Sequence, residues 1–285
     1  MVKINKINIL LIILLIVLIV LIILIILFIM KYNSINKLEK FYNNNNKQNF
    51  HFITYGDDRV NCKSRIISEA ENFKIFESIK FYEPKDISTE FYNKHKNVLE
   101  QKRGGGYWIW KYDIILQKLN EIKNNDILVY TDCGCTINVE GINKFYEYVN
   151  MLNESPYSII SFQINNHIER EYTTKELFNN LDIDLESDIA KSEQYTAAIL
   201  IMKKTDHLML ILNKSMEILD KNNNLITDFY NNNQESYFKD NRHDQSILSV
   251  IRKKYNSIVI NDYNDNITEI NESNKHIPFM TSRKR

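Results

Sequence analysis

The chain has 285 residues but only six glycines, three prolines, three cysteines and two tryptophans. Three cysteines exclude a small scaffold held by several disulfides. A net charge of zero, 36 Lys+Arg against 36 Asp+Glu, argues against a nucleic-acid binder that relies on bulk positive charge. There is no internal repeat. The six histidines (His51, His95, His167, His207, His243 and His276) are scattered, with no helical His-x-x-x-His pair, so a metal-dependent hydrolase cannot be assembled from them. What is abundant is apolar: 44% of residues, with 12% aromatic, too much for a disordered chain and enough for one sizeable domain or two small ones. Asn, Ile and Lys are so over-used that one Asn or Lys carries little information. The rare residues carry more.

Residues 9–30 form 22 consecutive apolar positions without charge, Gly or Pro. A helix of that length spans about 33 Å, enough for a bilayer core. No small-residue cleavage site follows, so the pattern predicts an uncleaved anchor rather than a signal peptide. The expected organisation is an anchor over 1–31, an Asn-rich polar stem over 32–49, and one domain over 50–285. Lysines flank the apolar run on both sides, and charge alone does not orient it.

In the remainder, short apolar runs alternate with helical periodicity. Strands are expected at 51–56, 75–82, 126–131, 157–162, 197–202 and 257–260, and helices at 62–73, 111–122 and 246–255. The alternation predicts an α/β sheet wrapped by helices. The run 126–131 is nearly all apolar, as in a strand covered on both faces.

Four constellations stand out. Three of the six glycines sit together in Arg103-Gly104-Gly105-Gly106-Tyr107-Trp108-Ile109-Trp110-Lys111, which also holds both tryptophans. Such glycines let a backbone approach a ligand or adopt positive φ, and a helix start beside Arg and Lys suits a phosphate. The spacing is not that of a P-loop. A turn followed by an aromatic core cluster is the structural alternative. Second, Tyr130-Thr131-Asp132-Cys133-Gly134-Cys135 closes the most apolar strand, where ligands of open α/β sheets gather. Asp132 there could hold Mg²⁺ or Mn²⁺, or a ribose hydroxyl, or simply cap the loop. Cys133 and Cys135 are read as small residues, since two further zinc ligands are missing. Third, Arg242-His243-Asp244-Gln245 leads into a helix, with Asp244 as an N-cap or as a pocket carboxylate. Fourth, Gln194 enters a strand in Gln194-Tyr195-Thr196-Ala197-Ala198.

The order of these blocks resembles a group of nucleotide-sugar glycosyltransferase-like proteins of bacteria and large viruses within the GT-A superfamily. The resemblance covers about residues 50–285 and is most specific at Arg103–Lys111 and Tyr130–Cys135. It implies a single Rossmann-like GT-A domain that moves a sugar from a nucleotide-diphosphate donor to a glycan, protein or lipid acceptor. It implies donor contacts from Tyr55, Gly104, Gly105, Gly106, Trp108, Lys111, Asp132 and Gln194. Catalytic roles fall to Asp244 and Gln245, and any Mn²⁺ or Mg²⁺ to Asp132. The superfamily's Asp-x-Asp is Asp132-Cys133-Gly134 here, so its second carboxylate is absent. The tail Pro278–Arg285 is read chiefly as a basic tail in solvent, with a cation beside the diphosphate as the alternative.

A membrane-anchored glycosyltransferase follows as the leading expectation, with a cytoplasmic N-terminus and a lumenal domain in an ER/Golgi or host-derived membrane. Sequons at Asn213, Asn266 and Asn271 suit that orientation but arise by chance in so Asn-rich a chain. The competing expectation is a catalytically silent carbohydrate-binding or structural protein of the same fold. No nucleic-acid partner is expected.

Overall fold

Three strands run in parallel at the heart of a computed structural model that describes residues 15–27, 48–57, 61–261 and 267–284. Strand β1 (Phe50–Tyr55) passes through helix α1 (Lys63–Asn72) to β2 (Phe76–Tyr82), which pairs with it in parallel. Helix α2 (Thr89–Leu99), a single turn at Gly104–Tyr107 and helix α3 (Trp110–Glu121) then lead to β3 (Ile127–Thr131), parallel to β1 on its other side. After the short β4 (Thr136–Ile137) come α4 (Ile142–Glu154), β5 (Ile159–Ile168), α5 (Lys175–Asn180), α6 (Asp188–Lys191), β6 (Glu193–Tyr195) and β7 (Ile199–Lys203). Helices α7 (Asp206–Lys221) and α8 (Asp244–Lys254), strand β8 (Ile258–Ile260) and strand β9 (Phe279–Met280) complete the order.

The sheet order is β2-β1-β3-β7-β5-β6, with β8 also on β5. The fold is therefore mixed α/β rather than uniformly parallel. β7 runs antiparallel to β3, with Ile199 opposite Thr131 and Lys203 opposite Ile127. That reversal decides where the site forms. The C-terminal ends of β1 and β3 and the N-terminal end of β7 share one sheet edge, and the amide of Asp132 donates to the carbonyl of Ala198 at 2.8 Å. β9 pairs with β4 just beyond that edge, bringing the C-terminal segment alongside it.

Burial explains the strand composition. Ile127, Leu128, Val129 and Tyr130 are wholly buried, as are Ile199 to Met202 facing them. α3 contributes Tyr112, Ile114, Ile115 and Leu119 to the same core. Cys62, at the start of α1, forms a disulfide with Cys133 in the turn after β3, with 5.9 Å between their Cα atoms. Cys133 is thus not merely a small residue. Cys135 is buried and not disulfide-bonded.

Contacts divide the chain into Met1–Gln48 and Asn49–Arg285. Residues 15–27 are helical and exposed. Among the described residues no helix is long and apolar enough to cross a membrane. The rest of the expected anchor and nearly all of the stem, residues 1–14 and 28–47, lie outside the described residues.

Asn49–Arg285 expressed alone should melt cooperatively, and reduction or Cys62→Ser should lower its stability. The bridge closes a loop of 71 residues, and such a constraint contributes about 2–4 kcal/mol, or on the order of 10 °C in Tm for a domain this size. Calorimetry with and without reductant tests this, and an unchanged Tm would show that the bridge is not formed.

Candidate active site

The sheet edge where β1, β3 and β7 meet opens into a cleft of about 670 Å³. That volume lies within the range of small-molecule sites. Tyr55 at the end of β1 with Asp57 just beyond it, Asp132 to Cys135 after β3, and Thr196 to Ala198 before β7 are among its lining. Trp108, Trp110, Lys111, Arg242 to Gln245, Thr281 and Arg283 also line it.

The glycine cluster has a backbone cause. Gly104, Gly105, Gly106, Tyr107 and Trp108 all have positive φ, between 51° and 98°. They make one left-handed helical turn, closed by Tyr107 N–H to Arg103 O at 2.7 Å and Trp108 N–H to Gly104 O at 3.3 Å. Each L-residue in such a turn costs about 1–2 kcal/mol, so glycine fills three of the five places. Side chains hold the other two. The Tyr107 hydroxyl donates to Asp228 at 3.1 Å, and Trp108 stacks on His243 at 5.3 Å between ring centroids. Trp110 donates to Gly104 O at 2.9 Å and stacks face to face on Tyr55 at 3.7 Å. The turn thus sets two indoles against the cleft and delivers Lys111 into it. Of the three clustered glycines, Gly104 lines the cleft; Gly105 and Gly106 shape the turn instead. A Cβ on Gly106 would stand 2.6 Å from the Leu99 backbone.

Lys111 is 1% exposed. Its ammonium donates to Ala197 O at 3.0 Å and to Asp244, and lies 3.4 Å from Asp132 Oδ1. Burial alone would lower its pKa, but the two carboxylates more than compensate and hold it above the usual lysine value. Asp244 is the first residue of α8 rather than its N-cap, which is His243, so its carboxylate is committed to Lys111. Burial, opposed by Lys111 and reinforced by the Asp132 charge, pushes Asp244 up to about 6. Asp132 also accepts the Tyr130 hydroxyl at 2.5 Å. Burial, then the charge of Asp132, keeps the Tyr130 phenol well above its ordinary range, so it remains a donor.

Gln245 is oriented by a buried chain of polar groups. Its Oε1 accepts from Ala197 N–H at 3.2 Å, so its Nε2 faces Gln194 Oε1 at 2.6 Å. Gln194 in turn donates to Glu169 at 2.9 Å, and Glu169 is neutralised by Lys253 at 2.8 Å. Gln194, expected as a donor contact, is fully buried and outside the cleft lining, hydrogen-bonded behind Gln245.

The carboxylates do not fit a divalent cation. Asp132 Oδ1 is engaged by Tyr130 and Lys111, Asp244 is paired with Lys111, and Cys133 is in the disulfide. Among the described residues no group of three His, Cys, Asp or Glu could hold a metal. Among the described residues the metal role expected of Asp132 therefore finds no partner ligands. The C-terminal segment also departs from expectation: Phe279 to Ser282 are buried, and Arg283 lines the cleft instead of belonging to a solvent tail. Sequence reading had no site role for Asp57, Trp110, Tyr130 or Ala197. Trp110 was within reach, sitting in the block that drew attention to Trp108.

No protein-family profile matches the chain, and no curated protein is similar to it. Among solved structures, mouse xyloside xylosyltransferase 1 in its apo form aligns at 8% identity and TM-score 0.44, over 82% of this chain and 97% of that one. A glycosyltransferase involved in glycosylation of the major capsid of PBCV-1 aligns at 9% and 0.45, over 81% and 93%. The galactosyltransferase LgtC, in complex with donor and acceptor sugar analogs, aligns at 14% and 0.37, over 70% of each chain. At these scores the likenesses decide neither fold family nor activity.

Gly106→Ala should cost most of the domain's stability, because the obstacle is backbone. Gly134→Ala, whose Cβ would meet nothing nearer than 3.5 Å, should leave Tm close to wild type. Lys111→Met should destabilise by about 3–5 kcal/mol, the usual cost of stranding a buried charge. Adding Asp244→Asn should recover part of that loss; additive losses in denaturant titrations would deny the coupling.

Proposed function

We propose that the chain is a GT-A-type glycosyltransferase that takes a sugar from a nucleotide-diphosphate donor and passes it to a hydroxyl of a glycan, protein or lipid. The observation that carries the reading is the convergence of Asp132, from the end of β3, and Asp244, from the start of α8, on the Lys111 ammonium in an aromatic-walled cleft.

Glycosyl transfer breaks the bond between the anomeric carbon and a diphosphate oxygen, which leaves with the electron pair. The acceptor oxygen bonds to that carbon, and its proton passes to a base. Positive charge develops on the sugar and negative charge on the departing diphosphate, so fixed charges of opposite sign at the two ends lower the barrier. Asp244 suits the sugar end. Its carboxylate is held by Lys111, and a pKa of about 6 lets it take a proton near neutrality. Gln245, its amide fixed by Gln194, offers a neutral hydrogen bond beside it. Asp132 stands between that end and the turn where Arg283 enters, a place for a ribose or sugar hydroxyl. The stacked pair Tyr55 and Trp110 forms an aromatic wall suited to a flat base.

On this reading residues 9–30 anchor the enzyme, with the N-terminus cytoplasmic and the domain lumenal. The Cys62–Cys133 bridge supports an oxidising compartment. Glycosidase-sensitive mass on the expressed chain checks the orientation.

The test is incubation of the full chain with UDP- and GDP-sugars, following nucleotide release with and without simple acceptors. Slow donor hydrolysis is the minimum expected. Tight donor binding without turnover on any acceptor class would point instead to a silent binding protein.

Asp132→Asn should reduce transfer about a hundredfold, the scale of losing one key electrostatic contact, with little change in Tm. The pH profile should follow Asp244. As a carboxylate that must be ionised, it makes kcat/KM fall as pH drops through about 6 and level off above. A residual activity of Asp244→Asn that keeps the same acid limb would assign that limb to another group.

A further inference from the structure

Resting on the nucleotide-sugar reading, we infer that this site binds its donor diphosphate without a divalent cation: the Lys111 ammonium stands where a metal would bridge the two carboxylates, and Arg283 supplies the cation that meets the phosphates.

The first part follows from where the charges already are. A bridging Mg²⁺ or Mn²⁺ would need oxygens from both Asp132 and Asp244. Lys111 directs its N–H groups at Asp244 and Ala197 O, with Asp132 Oδ1 3.4 Å away, so the space between the carboxylates holds a positive charge. A second cation there would face that buried charge in a low dielectric. Tyr130 takes a further lone pair of Asp132 Oδ1. The usual second carboxylate of the turn is replaced by Gly134, where no side chain exists to offer oxygen. Neither cysteine of the turn substitutes, because Cys133 is bridged and Cys135 is buried against Ala198 O.

The second part follows from the C-terminal segment. Ser282 Oγ donates to Gly134 O at 3.1 Å and lies 2.6 Å from Thr136 Oγ1; the Lys284 amide donates to Gly134 O at 2.9 Å. Arg65 binds both strands of this junction, donating to Cys133 O at 2.6 Å, Cys135 O at 2.8 Å and Lys284 O at 3.0 Å. Arg283 is therefore pinned on both sides to the turn that carries Asp132, while its own side chain is exposed and lines the cleft. The other arginine at the mouth of the glycine turn is engaged, with Arg103 2.8 Å from Asp228 and 3.6 Å from Asp240. Among the described residues two of the cleft's cations, Arg242 and Arg283, are in no ion pair with a carboxylate; Arg242 lies over the Tyr172 ring at 4.9 Å, whereas Arg283 is held by its neighbours' backbone on the turn that carries Asp132. A guanidinium suits phosphate oxygens because its donors form a planar fork.

The experiment is calorimetric titration of the full chain with UDP and GDP, in chelator and in Mn²⁺. Expected for the nucleotide that binds is a Kd in chelator within about twofold of that in Mn²⁺. Arg283→Ala should weaken the diphosphate about tenfold or more in both conditions, the scale of a hydrogen bond to a charged group, while binding of the bare nucleoside is unchanged. Arg283→Lys should recover part of the loss. Because the side chain is exposed, these variants should fold. Binding that tightens tenfold or more with Mn²⁺ overturns the metal-free site and spares the nucleotide-sugar reading. Metal-free binding that Arg283→Ala leaves untouched overturns the assignment of Arg283. No binding by either nucleotide in either condition overturns the reading and this inference together.

Discussion

A lysine ammonium with 1% of its residue exposed has to be neutralised, and much of the architecture around the cleft serves that requirement. Removing a charge from water costs several kcal/mol unless partners of opposite sign surround it. Lys111 sits in the first turn of α3, so its partners come from elsewhere: Asp132 from the end of β3, Asp244 from the start of α8, a carbonyl from the approach to β7. Three segments far apart in sequence are thereby fixed at one point. Both members of the pair are shifted upward: the two carboxylates hold Lys111 firmly protonated, and burial, then the Asp132 charge, draws Asp244 towards its proton. There is no conflict, because one cation shared between two carboxylates satisfies itself but leaves an excess negative charge between them. Asp244, the more deeply buried carboxylate, carries that excess.

The left-handed turn is a second constraint that works through the first. It places two L-residues where the backbone resists, and their aromatic rings return the cost by packing on His243 and closing on Asp228. The His243 ring is itself fixed, its Nδ1 2.8 Å from Ile226 O, and burial keeps its pKa below the ordinary value. The disulfide does the corresponding work on the opposite wall, holding the Asp132 turn against the start of α1.

How much of this was legible follows from which interactions are local. Strands such as 127–131 and 199–203 and helix α3 were visible because their apolar periodicity is a property of neighbours in sequence. Helices α4 and α7 were passed over, although α7 carries a Thr205 cap and buried positions at Leu208, Ile211, Leu212 and Ile218 in helical spacing. The signal existed there and was drowned by the general excess of Ile, Leu and Asn. Scarcity served better: the glycine cluster and the Asp132 turn were found because their residues are rare. What each does was hidden, since positive φ, a cysteine partner 71 residues away and a C-terminal segment folded back on Gly134 are all products of long-range packing. Gln194 shows the opposite error. Its sequence context drew it into the list of donor contacts, but the structure places it behind Gln245, outside the cleft lining.

A chain of zero net charge can still build a charged site, because balance over 285 residues says nothing of its distribution. The cleft lining holds Arg103, Lys111, Arg242 and Arg283 against Asp57, Asp132 and Asp244. That near-balance differs from a phosphate site made of excess positive charge. Lys111 is consumed by the carboxylates it organises, and Arg103 by Asp228 and Asp240, so the attraction an anionic ligand meets depends on a few arginines at the rim. On the nucleotide-sugar reading we propose, the positive field is sharp rather than broad, favouring an anion that reaches Arg283 over one that merely approaches the domain. The same arrangement holds the Asp132–Lys111–Asp244 cluster in place by contacts within the protein itself. Preorganisation of that kind is what electrostatic catalysis requires, because groups held by the fold need not reorient when charge develops on a substrate.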